Sequence, residues 1–369
     1  MILLGMTSLS CSNQNLKDGR SPMWSAMKGI AITSVVIGHC TLFPFIERFV
    51  NQYHLAVFFF VSGYFFKEKY IEEKKHFVWK KLQSLYIPFV ISGIVFLLFH
   101  PLLRMLNVYT DSLTWAEIGK EIFNLTIRLT SNDPMMGAMW FCPALMGCSF
   151  IAFVAFCLTK GFSLWKRSIV FLLMVTMGGV NLHLIGLKSP YCIWQYMIVV
   201  GIYYMGWLFS QYEGKLPQLN KVIWGGISML FLGLLYFMTD LGFYGRLQAA
   251  NINKESVAMI LLIALIGCGM IYALAKVLDM TSAGRIMAVV GNYSFSIMLL
   301  HFLAFKVVNF IQCLVSGLSY VSISDFPVMK YDNPLWFLLY VLFGVALPII
   351  ASWSFHTGVK YVRSRCRSL

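Results

Sequence analysis

Ten apolar runs of near membrane-crossing length follow one another along this chain, and the short gaps between them carry most of its charge. No other feature restricts the fold so severely. In hydrocarbon every backbone N–H and C=O must be satisfied within the protein, so only helices and closed barrels can span. The runs lie near residues 24–46, 51–66, 82–104, 139–159, 168–186, 190–210, 222–243, 256–275, 286–314 and 335–357. They lack the strict alternation over about ten residues that marks a barrel strand. The sequence therefore reads as all-α: a polytopic membrane protein, a bundle of about ten transmembrane helices, each needing roughly 20 apolar residues. The second run is short for a span and is expected to tilt little or to begin inside the interface.

Composition supports this. Hydrophobic residues make up 59% of the 369 positions and charged residues only 12%, about half the charge of an ordinary soluble domain. That excludes a water-facing globular domain and a disordered chain. The nine cysteines are scattered, mostly inside apolar runs, with no C-x-x-C pair. They read as small buried hydrophobes; neither a disulfide framework nor a metal site is expected.

The net charge is +14. A nucleic-acid partner would call for basic residues gathered on a soluble domain, and none is expected from these residues. With the N-terminus placed in the cytoplasm, 20 lysines and arginines fall in cytoplasmic segments and 8 outside, with Lys306 inside the ninth run. This bias predicts a multi-pass protein of the cytoplasmic membrane, surrounded by membrane lipid, with both termini inside. The organisation is then a cytoplasmic leader over 1–23, a membrane domain over 24–358 and a basic tail over 359–369. The opening MILLGMTSLSC places Cys11 after a short apolar start, but it has no basic leader and carries Ser8 where a lipobox needs an aliphatic residue. It is read as leader rather than lipoprotein signal.

Two outer segments, 105–138 and 315–334, are longer than the rest. In the first, Trp115, Ile118, Ile122, Phe123, Leu125 and Ile127 recur at helical spacing. This predicts an amphipathic helix over 114–129 lying on the outer face.

An ionisable side chain at the centre of a span costs roughly 2.5–3.5 kcal/mol on insertion scales, so each one asks for a reason. His39 stands in the first run beside Gly38, and His301 near the middle of the ninth. His39 is a candidate general base or acyl-accepting nucleophile; the plainer reading is a neutral imidazole bonded to a neighbouring helix. His54 stands at the outer start of the second run, within reach of interface water. His76, His100, His183 and His356 lie near run ends or in charged gaps and are not singled out. Lys80 and Lys81 lead into the third run. They either snorkel at the membrane face or hold the phosphates of a nucleotide-like donor such as coenzyme A.

Several segments together resemble one family. MKGIAITSVVIGHC (27–40) and YHLAVFFFVSGYFFK (53–67) are similar to the first two spans of the integral-membrane acyltransferases known as acyltransferase 3. KKLQSLYIPF (80–89) resembles that family's basic approach to the third span, MWFCPALM (139–146) its Trp-Phe-x-x-x-Leu segment, and GNYSFSIMLLH (291–301) its late Asn-x-Ser and histidine span. The similarity runs from residue 24 to beyond 301, and the fucose 4-O-acetylase-like members look nearest.

The resemblance implies a bacterial enzyme of the inner membrane. It would move an acyl group, usually acetyl, from cytoplasmic acyl-CoA (acetyl-CoA) to a hydroxyl of a cell-envelope glycan or lipid-linked sugar, with no permanently bound cofactor. His39 matches the family's essential first-span histidine. Lys80 and Lys81 match a basic, commonly arginine-containing motif implicated in donor handling. Lys28 falls in the stretch Ser25-x-x-Lys28-Gly29, where the family has Asp-x-x-Arg-Gly, and joins them as a donor-binding candidate. The second arginine of the Arg-x-x-Arg motif is absent, since Lys81 is followed by Leu82, Gln83 and Ser84. Lysine keeps the charge and loses the bidentate phosphate geometry. His54, Ser62, Trp140, Asn292 and His301 are candidates for lining the substrate path. The competing reading is a transporter or flippase for a glycolipid or small solute, using the same polar residues as binding groups.

Overall fold

The computed structural model describes residues 21–184, 190–243, 247 and 256–367. The first twenty residues, with Cys11, lie outside this range. The described residues are helical and contain no strand. Six helices among them are long and apolar enough to cross a membrane: Lys74–Met105, Phe141–Leu158, Lys221–Asp240, Val257–Leu278, Ser294–Ser316 and Pro334–Lys360. They correspond to the third, fourth, seventh, eighth, ninth and tenth of the predicted spans.

The other four predicted spans form helices that are shorter or more polar. α1 (Pro22–Cys40) carries Lys28, Thr33, Ser34 and His39. α3 (His54–Tyr64) has only 11 residues and α8 (Leu164–Gly179) only 16, while α9 (Ile193–Tyr212) carries Gln195 and six tyrosine or tryptophan rings. Much of α1, α3 and α9 is buried against protein. A helix wrapped by other helices does not need an apolar surface all round.

The first span was expected to reach residue 46. Instead the helix ends at Cys40 and a separate amphipathic helix, α2 (Pro44–Asn51), follows. Pro44 explains the break, because a proline disfavours helical geometry in the residue before it. Phe43 is accordingly extended, at φ −94° and ψ 109°.

The long helix 74–105 is built from α4 (Lys74–Lys81), a π turn over Leu82–Tyr86 and α5 (Ile87–Met105). Pro88 sits just beyond the π turn. A proline inside a helix lacks an N–H and crowds the carbonyl four residues back, here that of Ser84. The wider turn, in which the Ile87 N–H reaches back to the Leu82 carbonyl, relieves that crowding without ending the helix.

The outward faces of these helices are apolar. Leu98, Met229 and Leu172 are exposed to 72%, 66% and 62%. Such surfaces in water mark an interaction face; along helices of this length they fit contact with lipid.

Contacts divide the chain into two compact units. The first holds the residues up to Leu42, Pro88–Trp140 and the residues from Arg285. Its centre is α1 packed on α13 (Ser294–Ser316) and α14 (Pro334–Arg367). α12 (Ser282–Asn292) crosses α1 backbone to backbone. A Cβ on Gly29 would lie 1.9 Å from the Met287 carbonyl oxygen, and one on Gly291 would lie 1.8 Å from that of Ser25. The amphipathic segment predicted for 114–129 is α6 (Trp115–Phe123), continued by a π turn over Asn124–Arg128. Its first turn is closed by a capping box between Thr114 and Glu117, which satisfies two of the amides left unpaired at a helix start.

The second unit holds Phe43–Ile87 and Phe141–Gly284. Here α3 packs on α9, α9 on α8 and α7 (Phe141–Leu158), and α10 (Lys221–Asp240) on α11 (Val257–Leu278). A reciprocal glycine crossing appears again. A Cβ on Gly63 would meet the Tyr203 carbonyl at 1.8 Å, and one on Gly206 the Phe60 carbonyl at 1.9 Å.

Candidate active site

His39 occupies the last turn of α1, one residue before the helix ends. Two contacts fix that end. The Thr41 N–H donates to the Ile37 carbonyl at 3.0 Å, and the Tyr331 hydroxyl donates to the Cys40 carbonyl at 2.6 Å. Burial, with the nearby Cys40 thiol, pushes the Tyr331 phenol up to about 12, so it remains a donor at physiological pH.

Tyr331 is itself placed by the polar face of α13. Lys306 donates to the Ser324 and Asp325 carbonyls. Asn309 Nδ2 donates to the Ile323 carbonyl at 3.0 Å, and Gln312 Nε2 to that of Lys330 at 2.9 Å. Tyr340 on α14 donates back to Asn309 Oδ1 at 2.7 Å and Gln312 Oε1 at 3.1 Å. Lys306, predicted to lie within the ninth span, thus has a structural partner set: it holds the segment that caps α1.

His301 lies on α13, opposite His39. The two rings stack with centroids 5.3 Å apart and planes 25° from parallel, and both touch the Phe302 ring, at 4.9 Å from His39 and 4.2 Å from His301. Phe305 meets the edge of His301 at 5.5 Å. His301 is fully buried and His39 half-buried. The His301 Nδ1 lies 2.8 Å from the Ile297 carbonyl and 3.1 Å from that of Met298. A carbonyl only accepts, so Nδ1 carries the proton. Nε2 then holds a lone pair, and it is buried with no hydrogen-bond partner among the described residues. An unmatched buried acceptor is costly and marks a place where a proton or a donor is meant to arrive.

The remaining predicted site residues divide between the units. Lys28 lies on α1, about three helical turns before His39. Asn292 closes α12 and Trp140 immediately precedes α7; both are half-buried and belong to the unit of the two histidines. His54, Ser62, Lys80 and Lys81 belong to the other unit. His54 was expected near interface water. It is buried instead, with Nδ1 donating to the Val50 carbonyl at 2.6 Å, on a helix that packs against α9 and α11. Lys80 is exposed and donates to the Tyr70 hydroxyl at 2.7 Å, while the Lys81 ammonium stands 5.7 Å from the Phe77 ring centroid. Neither pairs with a carboxylate among the described residues.

Two buried polar residues, Glu121 and His100, are ones the sequence reading does not single out. Glu121 is buried in α6 and accepts from Ser131 Oγ at 2.6 Å, the Asn132 N–H at 2.8 Å and Asn132 Nδ2 at 2.9 Å. A signal was available: Glu121 sits three residues after Ile118 and four before Leu125, on the apolar stripe of its helix.

The acyltransferase domain family matches the chain over residues 24–353. The chain belongs to this family. Comparison with curated proteins and with solved structures gives no match. The acyltransferase domain therefore spans all but the two ends of the chain, and its apolar helices make it a membrane acyltransferase. Both stacked histidines fall within it.

Proposed function

We propose that this acyltransferase takes an acyl group, acetyl in the first instance, from acyl-CoA on the cytoplasmic side. It delivers the group to a hydroxyl of a cell-envelope glycan or lipid-linked sugar. On this reading the enzyme is bacterial, sits in the inner membrane with both termini inside, and stands nearest the fucose 4-O-acetylase-like members. The observation that carries the proposal is the His39–His301 stack beneath a capped helix end.

A thioester is already activated, so the protein has three tasks: to hold donor and hydroxyl together, to remove a proton and to steady the oxyanion. Histidine suits the proton transfer because its ordinary pKa lies near neutrality. In the proposed step His39 takes the proton from the acceptor hydroxyl as its oxygen attacks the thioester carbonyl. The new C–O bond forms, the C–S bond breaks, and the proton passes to the departing coenzyme A sulfur. Transient acylation of His39 is the two-step variant of the same chemistry. His301, neutral at Nε2 and stacked on His39, supports the proton-accepting face. Lys80 and Lys81, with Lys28, are assigned to the coenzyme A phosphates as point charges. His54, Ser62, Trp140 and Asn292 are assigned to the path.

The test uses membranes containing the protein and labelled acetyl-CoA. Label should enter a lipid or glycan fraction with the wild type and vanish with His39→Ala. Transfer that persists in a folded His39→Ala protein would refute the role of that histidine.

A further inference from the structure

The segment between α5 and α7 encloses a cavity that the chemistry above does not use. It measures about 410 Å³ and is lined in part by His100, Tyr109, Asp111, Lys120, Asn132 and Asp133. This falls within the roughly 300–1,000 Å³ of small-molecule sites. A second cavity, of about 710 Å³, adjoins it: His100 and Tyr109 line both, and Arg104 and Ser112 line the second. All of these residues belong to the first unit.

Two of the carboxylates here, Asp133 and Glu121, belong to the framework. Asp133 accepts from the Tyr109 hydroxyl at 2.8 and 2.9 Å on its two oxygens, and from the Met135 N–H at 2.8 Å. Glu121 is saturated by Ser131 and Asn132. No three His, Cys, Asp or Glu side chains among the described residues are grouped to hold a metal ion. Asp133 and Glu121 thus brace the wall rather than form a cation site.

His100 is different. It is 8% exposed and stacks on Tyr109 with centroids 4.3 Å apart and planes 14° from parallel. Its ring makes no hydrogen bond among the described residues; it lines both cavities and stands near enough to the Asp133 carboxylate to interact with it electrostatically. A polar ring at a cavity wall with no hydrogen bond to the protein can take one from a ligand. Around it stand a cation at Lys120, an anion at Asp111 and an amide at Asn132. Donors and acceptors interleave, with a flat aromatic pair behind them. A sugar meets such a wall well, since every hydroxyl both donates and accepts.

We infer that the His100–Tyr109 cavity is a carbohydrate-binding site that receives a sugar unit of the acceptor, the adjoining cavity giving room for the rest of it. This rests on the acyltransferase reading only for the word acceptor; the binding itself is independent of it.

The experiment is saturation-transfer NMR on the full chain in detergent, with D-glucose, L-fucose and N-acetyl-D-glucosamine as probes. At least one sugar should show transfer above protein-free micelles. His100→Phe keeps the stack and removes both ring nitrogens. It should weaken that binding about fivefold, the worth of one hydrogen bond. Asp111→Ala and Lys120→Ala change exposed rim residues and should weaken it while the protein stays folded. No transfer from any of the three sugars, or binding unchanged in all three variants, would overturn the proposal. Sugar binding by a wild type that moves no label from acetyl-CoA would keep the cavity and sink the acyltransferase reading. Label transfer without sugar binding would do the reverse.

Discussion

The Tyr331 hydroxyl donates to the Cys40 carbonyl across 291 positions of sequence, and so holds the turn of α1 that carries His39. Tyr331→Phe removes only this donor. Stability should fall by about 0.5–1.5 kcal/mol, the usual worth of such a bond. On the proposed mechanism acetyl transfer should fall severalfold through kcat, with KM for acetyl-CoA unchanged, because the phenol would position the proposed base without a part in donor binding. Thermal melting in detergent and initial rates check the two halves separately.

His39 and His301 stack on one another and share Phe302, so their effects should not add. His39→Ala should lower acyl transfer by about 10²–10⁴, the range for a lost general base. His301→Ala should lower it less. The double variant should be no worse than His39→Ala alone, as for residues that act as a unit. Rates of all three against the wild type make the cycle; a fully additive result would separate the two rings functionally.

Two glycine substitutions should have opposite signs. Gly29→Ala places a methyl 1.9 Å from a backbone carbonyl on α12, which cannot rotate away. It should cost about 1–3 kcal/mol or more as overpacking. Gly119, inside α6, has nothing within 4 Å of its would-be Cβ. Gly119→Ala should stabilise by about 0.4–1 kcal/mol through the unfolded chain. Melting temperatures of the two variants decide it.

The segment between α5 and α7 carries two pH terms of opposite sign. Burial raises the Asp133 carboxyl, against the Tyr109 hydrogen bond that lowers it. Its stabilising term is present below the ordinary carboxylate pKa and is lost as pH rises through the raised one. Bonds from the Thr114 amide and hydroxyl hold Glu117 below its ordinary value. Its term is present above that value and is lost as pH falls through the lowered one. Melting between about pH 3 and 7 should show that Asp133→Asn removes a decline with rising pH and Glu117→Gln removes an increase.

Much of this was legible beforehand. Apolar runs near 82–104, 139–159, 222–243, 256–275, 286–314 and 335–357 became the six long helices, since continuous apolarity and span length are one-dimensional properties. The spacing of Trp115, Ile118 and Ile122 announced α6 for the same reason. Pro44 was visible too, yet its power to end α1 at Cys40 was outweighed by the apolar residues around it. Nothing local reveals that His39 faces His301, because that pairing depends on how α1 and α13 cross. His100 was passed over because it stands near a run end; its burial comes from Tyr109, which folds back from the following loop.

The glycine crossings invert the usual map of mutational tolerance. Leu98, Leu172 and Met229 are bulky and face outward, so they can be exchanged for other apolar groups at little cost. Gly29, Gly63, Gly206 and Gly291 offer nothing to exchange, and a single added methyl collides with main chain at each. A saturation scan of this protein would find some of its least forgiving positions among residues that have no side chain at all.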